Sequence, residues 1–150
     1  MDDIVLTAST PTLLQRIISA LQKEFSMKDL SKLHHFLGMH VQQCGDGLLS
    51  QKQYMLEILD RAGMAECKLC STPVDTNPKV AAADGASVSD ATDFRSLTGA
   101  LQYLTFTRPD IAYAVQQVCI HMHDPRELHL AALKWILRYI RGTLHLGLLL

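Results

Sequence analysis

The chain has no excess of either charge: 14 Lys and Arg stand against 15 Asp and Glu, a net charge of −1. Bulk charge therefore makes no case for a polyanionic partner, and any such case must rest on where the charges lie. Cysteine is scarce, four residues without regular spacing, and no basic segment leading into an apolar one opens the sequence. That excludes a secreted disulfide framework and leads us to expect a reducing compartment. Long apolar runs are also missing. Nothing approaches the ~20 residues of a membrane span, and the C-terminal "LHLGLLL" is far too short. What is present, 48% hydrophobic and 19% charged residues over 150 positions, suits one globular domain with a real core. The expectation is a soluble intracellular protein without a membrane partner, its compartment left open.

Along the chain, "DIVLTAS" at 3–9 is a compact apolar run with β-branched members and reads as a buried strand. Thr10 and Pro11 then read as N-cap and first helical residue, with Leu13, Leu14, Ile17, Ile18 and Leu21 at helical spacing over 11–24. Two strand-like runs flank Gly45-Asp46-Gly47 and predict a hairpin. Ser50 with Gln53 three residues on reads as a capping box for a helix that stops at Gly63. Residues 64–92 are rich in small, polar and Pro residues and read as a linker. Three helices are expected beyond it, at 93–106, 109–123 and 125–141. The second starts on Pro109, and the third has Asp124 as N-cap, Pro125 first and Gly142 as stop.

Taken together, "DDIVLTAS", "FSMKDLSKLHHFLGMHV", "LLSQKQYMLEILDRAGMAECK", "STPVD", "FRSLTGALQYLTFTRPDIAYAV" and "LKWILRYIRGT" resemble, in order, the reverse transcriptase of plant copia-type (Ty1/copia) LTR retrotransposons. The resemblance implies an α+β fold: a truncated reverse-transcriptase palm with a β-hairpin, joined by a linker to a three-helix thumb-like subdomain. It divides the chain into a partial palm at 1–63, the linker at 64–92, the thumb-like part at 93–143 and the severed start of an RNase H-like region at 144–150. Met1-Asp2-Asp3 would then be the end of the Tyr-x-Asp-Asp box, without its Tyr. The upstream palm and fingers and a downstream RNase H would be polyprotein partners, with template–primer RNA or DNA as the substrate.

The resemblance makes Asp2 and Asp3 catalytic and metal-binding. Nucleotidyl transfer attacks an α-phosphate with a primer 3′-hydroxyl, and two ions about 3.5–4 Å apart stabilise the attacking and leaving oxygens. Mg²⁺, or Mn²⁺ in its place, prefers carboxylate oxygens. A regular strand would aim adjacent residues to opposite faces, so the pair needs a tight turn to act together. The family's third aspartate, from an earlier strand, has no counterpart in these 150 residues. The isolated chain is therefore expected to hold no stable metal and to be inactive alone.

Phe36, Leu37, Gly38 and Met39 align with the hairpin that resembles a primer grip, where Gly38 permits close backbone approach. Lys134, Arg138 and Arg141 fall at i, i+4, i+7 and read as a nucleic-acid-binding stripe on the side away from Trp135, Ile136 and Tyr139. In "TRPDIAYAV" the Arg108–Asp110 pair reads as a lock on a helix start. "CKLC", with Cys119, His121 and His123 as further donors, lacks the second Cys pair of a zinc ribbon. Two other classes stay open: a decayed remnant without activity, or a helical nucleic-acid or protein interaction module.

Overall fold

In the computed structural model the described residues are 4–31, 35–36, 39–42, 48–75 and 85–149. Helix α1 spans Pro11–Glu24, the range expected from its periodicity, and the Thr10 hydroxyl accepts the Leu13 N–H at 3.3 Å. No residue of α1 is buried. The segment before it forms no strand: Ile4 and Val5 are 59% and 43% exposed. β-Branched residues favour a strand only where a neighbour supplies the ladder, and none pairs with 4–9 among the described residues.

The sheet is antiparallel in the order β1-β2-β3-β4. Strand β1 (His35–Phe36) pairs with β2 (Met39–Gln42), and β2 pairs with β3 (Leu48–Ser50) in the register Val41↔Leu49. That is the expected hairpin, its Gly-Asp-Gly tip lying outside the described residues. Strand β4 (Leu148–Leu149) then pairs with β3, Leu49↔Leu148. The leucines read as the start of a following region thus extend this sheet.

Helix α2 (Lys52–Arg61) begins after Gln51 rather than on Ser50. The Ser50 hydroxyl accepts the Lys52 N–H at 3.3 Å, too early in the turn for the expected capping box. At the other end Gly63 adopts φ +63°, with Gly63 N–H bonding Asp60 C=O at 2.9 Å and Met64 N–H bonding Leu59 C=O at 2.8 Å. Those bonds are the Schellman stop that the glycine predicts.

Helix α3 (Ala91–Leu104) starts two residues before the expected position, because Asp90 accepts from the Thr92 and Asp93 N–H groups. Pro109–Ile111 form a 3₁₀ turn that runs into α4 (Ala112–Cys119). Helix α4 stops short of 123, where Arg95 of α3 donates to the carbonyls of Met122 and His123. Helix α5 (Glu127–Gly142) starts two residues later than expected. The strap at 86–88 holds 125–126 extended through Val88 N–H to Pro125 C=O and Glu127 N–H to Ala86 C=O. Asp124 pairs with Arg126 instead of capping, and His129 Nδ1 takes the Arg126 N–H at 2.9 Å. Gly142 is the last helical residue, with Thr143 as the cap.

Among the described residues the core is one cluster: Met55, Ile58 and Leu59 of α2 with Phe94, Leu101, Val115, Leu133, Leu137 and others of α3, α4 and α5. Each such aliphatic side chain contributes about 1.5–3 kcal/mol on leaving water. Helix α2, grouped by sequence with 1–63, therefore shares its core with the helices beyond 92. Residues 64–75 form no helix or strand and are pinned to α5: Trp135 Nε1 donates to Thr72 C=O at 2.9 Å.

Candidate functional site

The polar centre of the helical cluster is Arg108, 1% exposed. Its guanidinium forks onto Asp110, Nε to Oδ1 at 2.9 Å and Nη2 to Oδ2 at 2.8 Å. It also donates to the carbonyl and hydroxyl of Thr143 at 3.1 and 2.7 Å. The Tyr139 hydroxyl closes the ring by donating to Asp110 at 2.9 Å. Burial alone would raise the Asp110 pKa, but the Arg108 and Tyr139 hydrogen bonds outweigh it and the carboxyl lies below its ordinary value. This network ties the start of α4 to the end of α5. It positions elements and leaves no free donor for chemistry, in keeping with the lock read from sequence.

Of the sequence-predicted site residues, Asp2, Asp3, Leu37 and Gly38 lie outside the described residues. Phe36 and Met39 are paired partners across β1 and β2. The cationic stripe on α5 is divided. Arg141 Nε donates to Ala65 C=O, and its Nη2 lies 3.7 Å from the Glu66 carboxylate, so it anchors the 64–66 segment. Lys134 and Arg138 instead share a groove with Trp135 and Ile136. For Trp135 that corrects the expectation of a stripe facing away from it. Positions 135 and 138 lie about 60° apart around a helix of 3.6 residues per turn, hence on one side. Ile136 is buried in the core and Tyr139 faces Asp110, as expected of residues on the other side of the helix.

The groove runs between α4 and α5 under the 73–75 segment and has a volume of about 580 Å³, within the range of ligand pockets. Tyr113, 55% exposed, and Trp135 supply aromatic surface. At its end His121 and His129 stack with centroids 3.7 Å apart and planes at 5°. Burial first, then His121 and Arg126, lowers the His129 pKa, opposed only by Asp124. With Nδ1 accepting the Arg126 N–H, the neutral ring carries its proton on Nε2, which is buried without an acceptor; so is Arg138 Nε. Sequence reasoning missed this groove because Tyr113 and the α5 residues are distant in sequence.

Cys70 donates to the carbonyls of Thr72 and Trp135 at 3.2 and 3.4 Å, and burial raises its pKa. Among the described residues no three His, Cys, Asp or Glu side chains converge where a metal ion could sit. Asp2 and Asp3, the carboxylates that the resemblance assigns to divalent ions, lie outside the described residues.

A mixed α and β fold with these motifs has a match among known families. The reverse transcriptase (RNA-dependent DNA polymerase) family matches residues 1–76, and the chain belongs to it. Among its relatives, the retrovirus-related Pol polyprotein from transposon RE1 of Arabidopsis thaliana is 45% identical over the whole chain, which spans 10% of that polyprotein. The uncharacterised mitochondrial protein AtMg00810 of the same plant is 48% identical over 99% of the chain and 62% of its own length. The Pol polyprotein from transposon TNT 1-94 of Nicotiana tabacum is 33% identical over 95% of the chain and 12% of its length. No solved structure matches the chain. No helix among the described residues is long and apolar enough to cross a membrane.

Proposed function

We propose that the chain is a segment of a copia-type retrotransposon Pol polyprotein, acting in RNA-directed DNA polymerisation as part of that larger protein. The observation that carries this is the pairing of the family match over 1–76 with Pol-polyprotein relatives that cover the whole chain. In this reading α1 and the sheet are palm elements, the β1–β2 corner is the primer-grip-like hairpin, and α3–α5 are thumb-like. In the larger protein Asp2 and Asp3 would hold Mg²⁺ or Mn²⁺, and the ion would supply charge stabilisation for the phosphates at the growing end. Lys134 and Arg138, unpaired among the described residues, meet template–primer phosphates, whereas Arg141 positions the 64–66 segment.

Alone, the 150 residues bind nucleic acid weakly and do not extend a primer. The test is affinity for a primed template across salt, followed by extension with Mg²⁺. Two phosphate contacts predict a log–log salt slope of about −2, reduced by about 1 in Lys134→Ala or Arg138→Ala. Salt-independent binding would contradict the nucleic-acid role, and Mg²⁺-dependent extension by the isolated chain would contradict its inactivity.

A further inference from the structure

Lys134 and Arg138 do not lie on a flat face but on the floor of a partly enclosed groove, and that changes what they can hold. A cation stripe that only tracks a backbone needs no walls. Here Tyr113 and Trp135 stand beside the two cations. The polar edge of the indole is already satisfied by Thr72 C=O, which leaves its carbon surface to be covered. Two donors bordering the groove, Arg138 Nε and His129 Nε2, are buried without an acceptor among the described residues. One carboxylate, Asp75, is in the described lining, so the cations outnumber it.

Resting on the reading as a nucleic-acid-handling segment, we infer that this groove takes an unpaired nucleotide. Its base lies against Tyr113 and Trp135, and its phosphate lies on Lys134 and Arg138. A flat aromatic body with an anionic acceptor at one end is the shape and charge that these walls and donors complement. The volume of about 580 Å³ suits one such unit rather than a duplex. A free nucleotide and an unpaired nucleotide within a strand offer the same chemistry.

Trp135 is the only tryptophan, so its fluorescence reports on the groove directly. The experiment titrates the 150-residue chain with a short oligothymidylate, an abasic strand of equal length, thymidine monophosphate, inorganic phosphate and a polyglutamate peptide. Saturable quenching by oligothymidylate, absent with the abasic strand and phosphate, is expected. Its dissociation constant should rise roughly tenfold in Tyr113→Ala and in Arg138→Gln, with urea midpoints close to native. Competition by the mononucleotide identifies free nucleotides as a source; its failure restricts the groove to strands, and both outcomes sustain the inference. Equal quenching by the abasic strand, or quenching by polyglutamate in its place, overturns it. No quenching, with salt-dependent template–primer binding intact, overturns the groove assignment and leaves the broader function standing; loss of both removes both.

Discussion

Removing Asp110 should destabilise the helical cluster out of proportion to its size. Its partner Arg108 is buried, while the Asp110 side chain is 34% exposed. Taking one member from a buried pair typically costs about 3–5 kcal/mol, because a charge is left without its counter-charge. The lower end applies here, since the two Thr143 oxygens remain as acceptors and water reaches the Asp110 side. Asp110→Ala should therefore lose about 3 kcal/mol, and with a urea dependence of about 2 kcal/mol per molar its midpoint should fall by about 1.5 M. Arg108→Met removes the buried cation itself, leaving Asp110 with the Tyr139 hydroxyl and solvent. The double variant should then lose less than the two singles combined, by about 2 kcal/mol. Trp135 fluorescence in urea measures all four proteins. A midpoint shift below about 0.3 M for Asp110→Ala, or strict additivity in the cycle, would refute the reasoning.

Other consequences are local. At Gly63 an added Cβ meets nothing within 4 Å, but φ is +63°; Gly63→Ala should cost about 1 kcal/mol of backbone strain, with Gly63→Asn milder, by urea midpoint. Thr10→Ala removes the α1 cap, worth about 1 kcal/mol to that helix. With no buried residue in α1, the effect should appear as faster amide exchange over 12–14 and not in the urea midpoint. His129 sets an acid limit. Because its folded pKa is lowered, the unfolded chain takes up the proton first, so stability is full above about pH 6.5 and falls as pH drops below it, by at most about 1.4 kcal/mol per pH unit. His129→Gln should flatten the loss in urea midpoint between pH 7 and 5.5; an unchanged slope would show that the ring does not set it. Asp110 acts in a separate window, since a depressed carboxyl loses its stabilising effect only below about pH 3.9.

Local signals were legible in the sequence where a residue's immediate neighbours decide its state. Thr10-Pro11 fixed the start of α1, and Gly63 marked the end of α2, because a cap and a left-handed residue act within one turn. The buried positions Phe94, Leu101, Leu104, Ile111, Val115 and Val118 follow from helical spacing alone. What stayed hidden depends on distant partners. Asp124 and Pro125 look like a helix start, yet the 86–88 strap pulls them extended. The 4–8 run has strand composition but no strand beside it among the described residues, while Leu148–Leu149 has one nearly a hundred residues earlier. Arg141 reads as a free cation until Ala65 and Glu66 arrive from the other side of the fold. The groove needs α4, α5 and the 73–75 segment together, so Lys134 and Arg138 were visible as charges but not as a floor.

The most direct test of the central claim places this segment in the Pol polyprotein proposed above and replaces Asp2 or Asp3 by Asn. Mg²⁺-dependent extension of a primed template should fall by several orders of magnitude, with template–primer affinity nearly unchanged. Extension at the unsubstituted rate in both variants would mean that these carboxylates do not serve polymerisation.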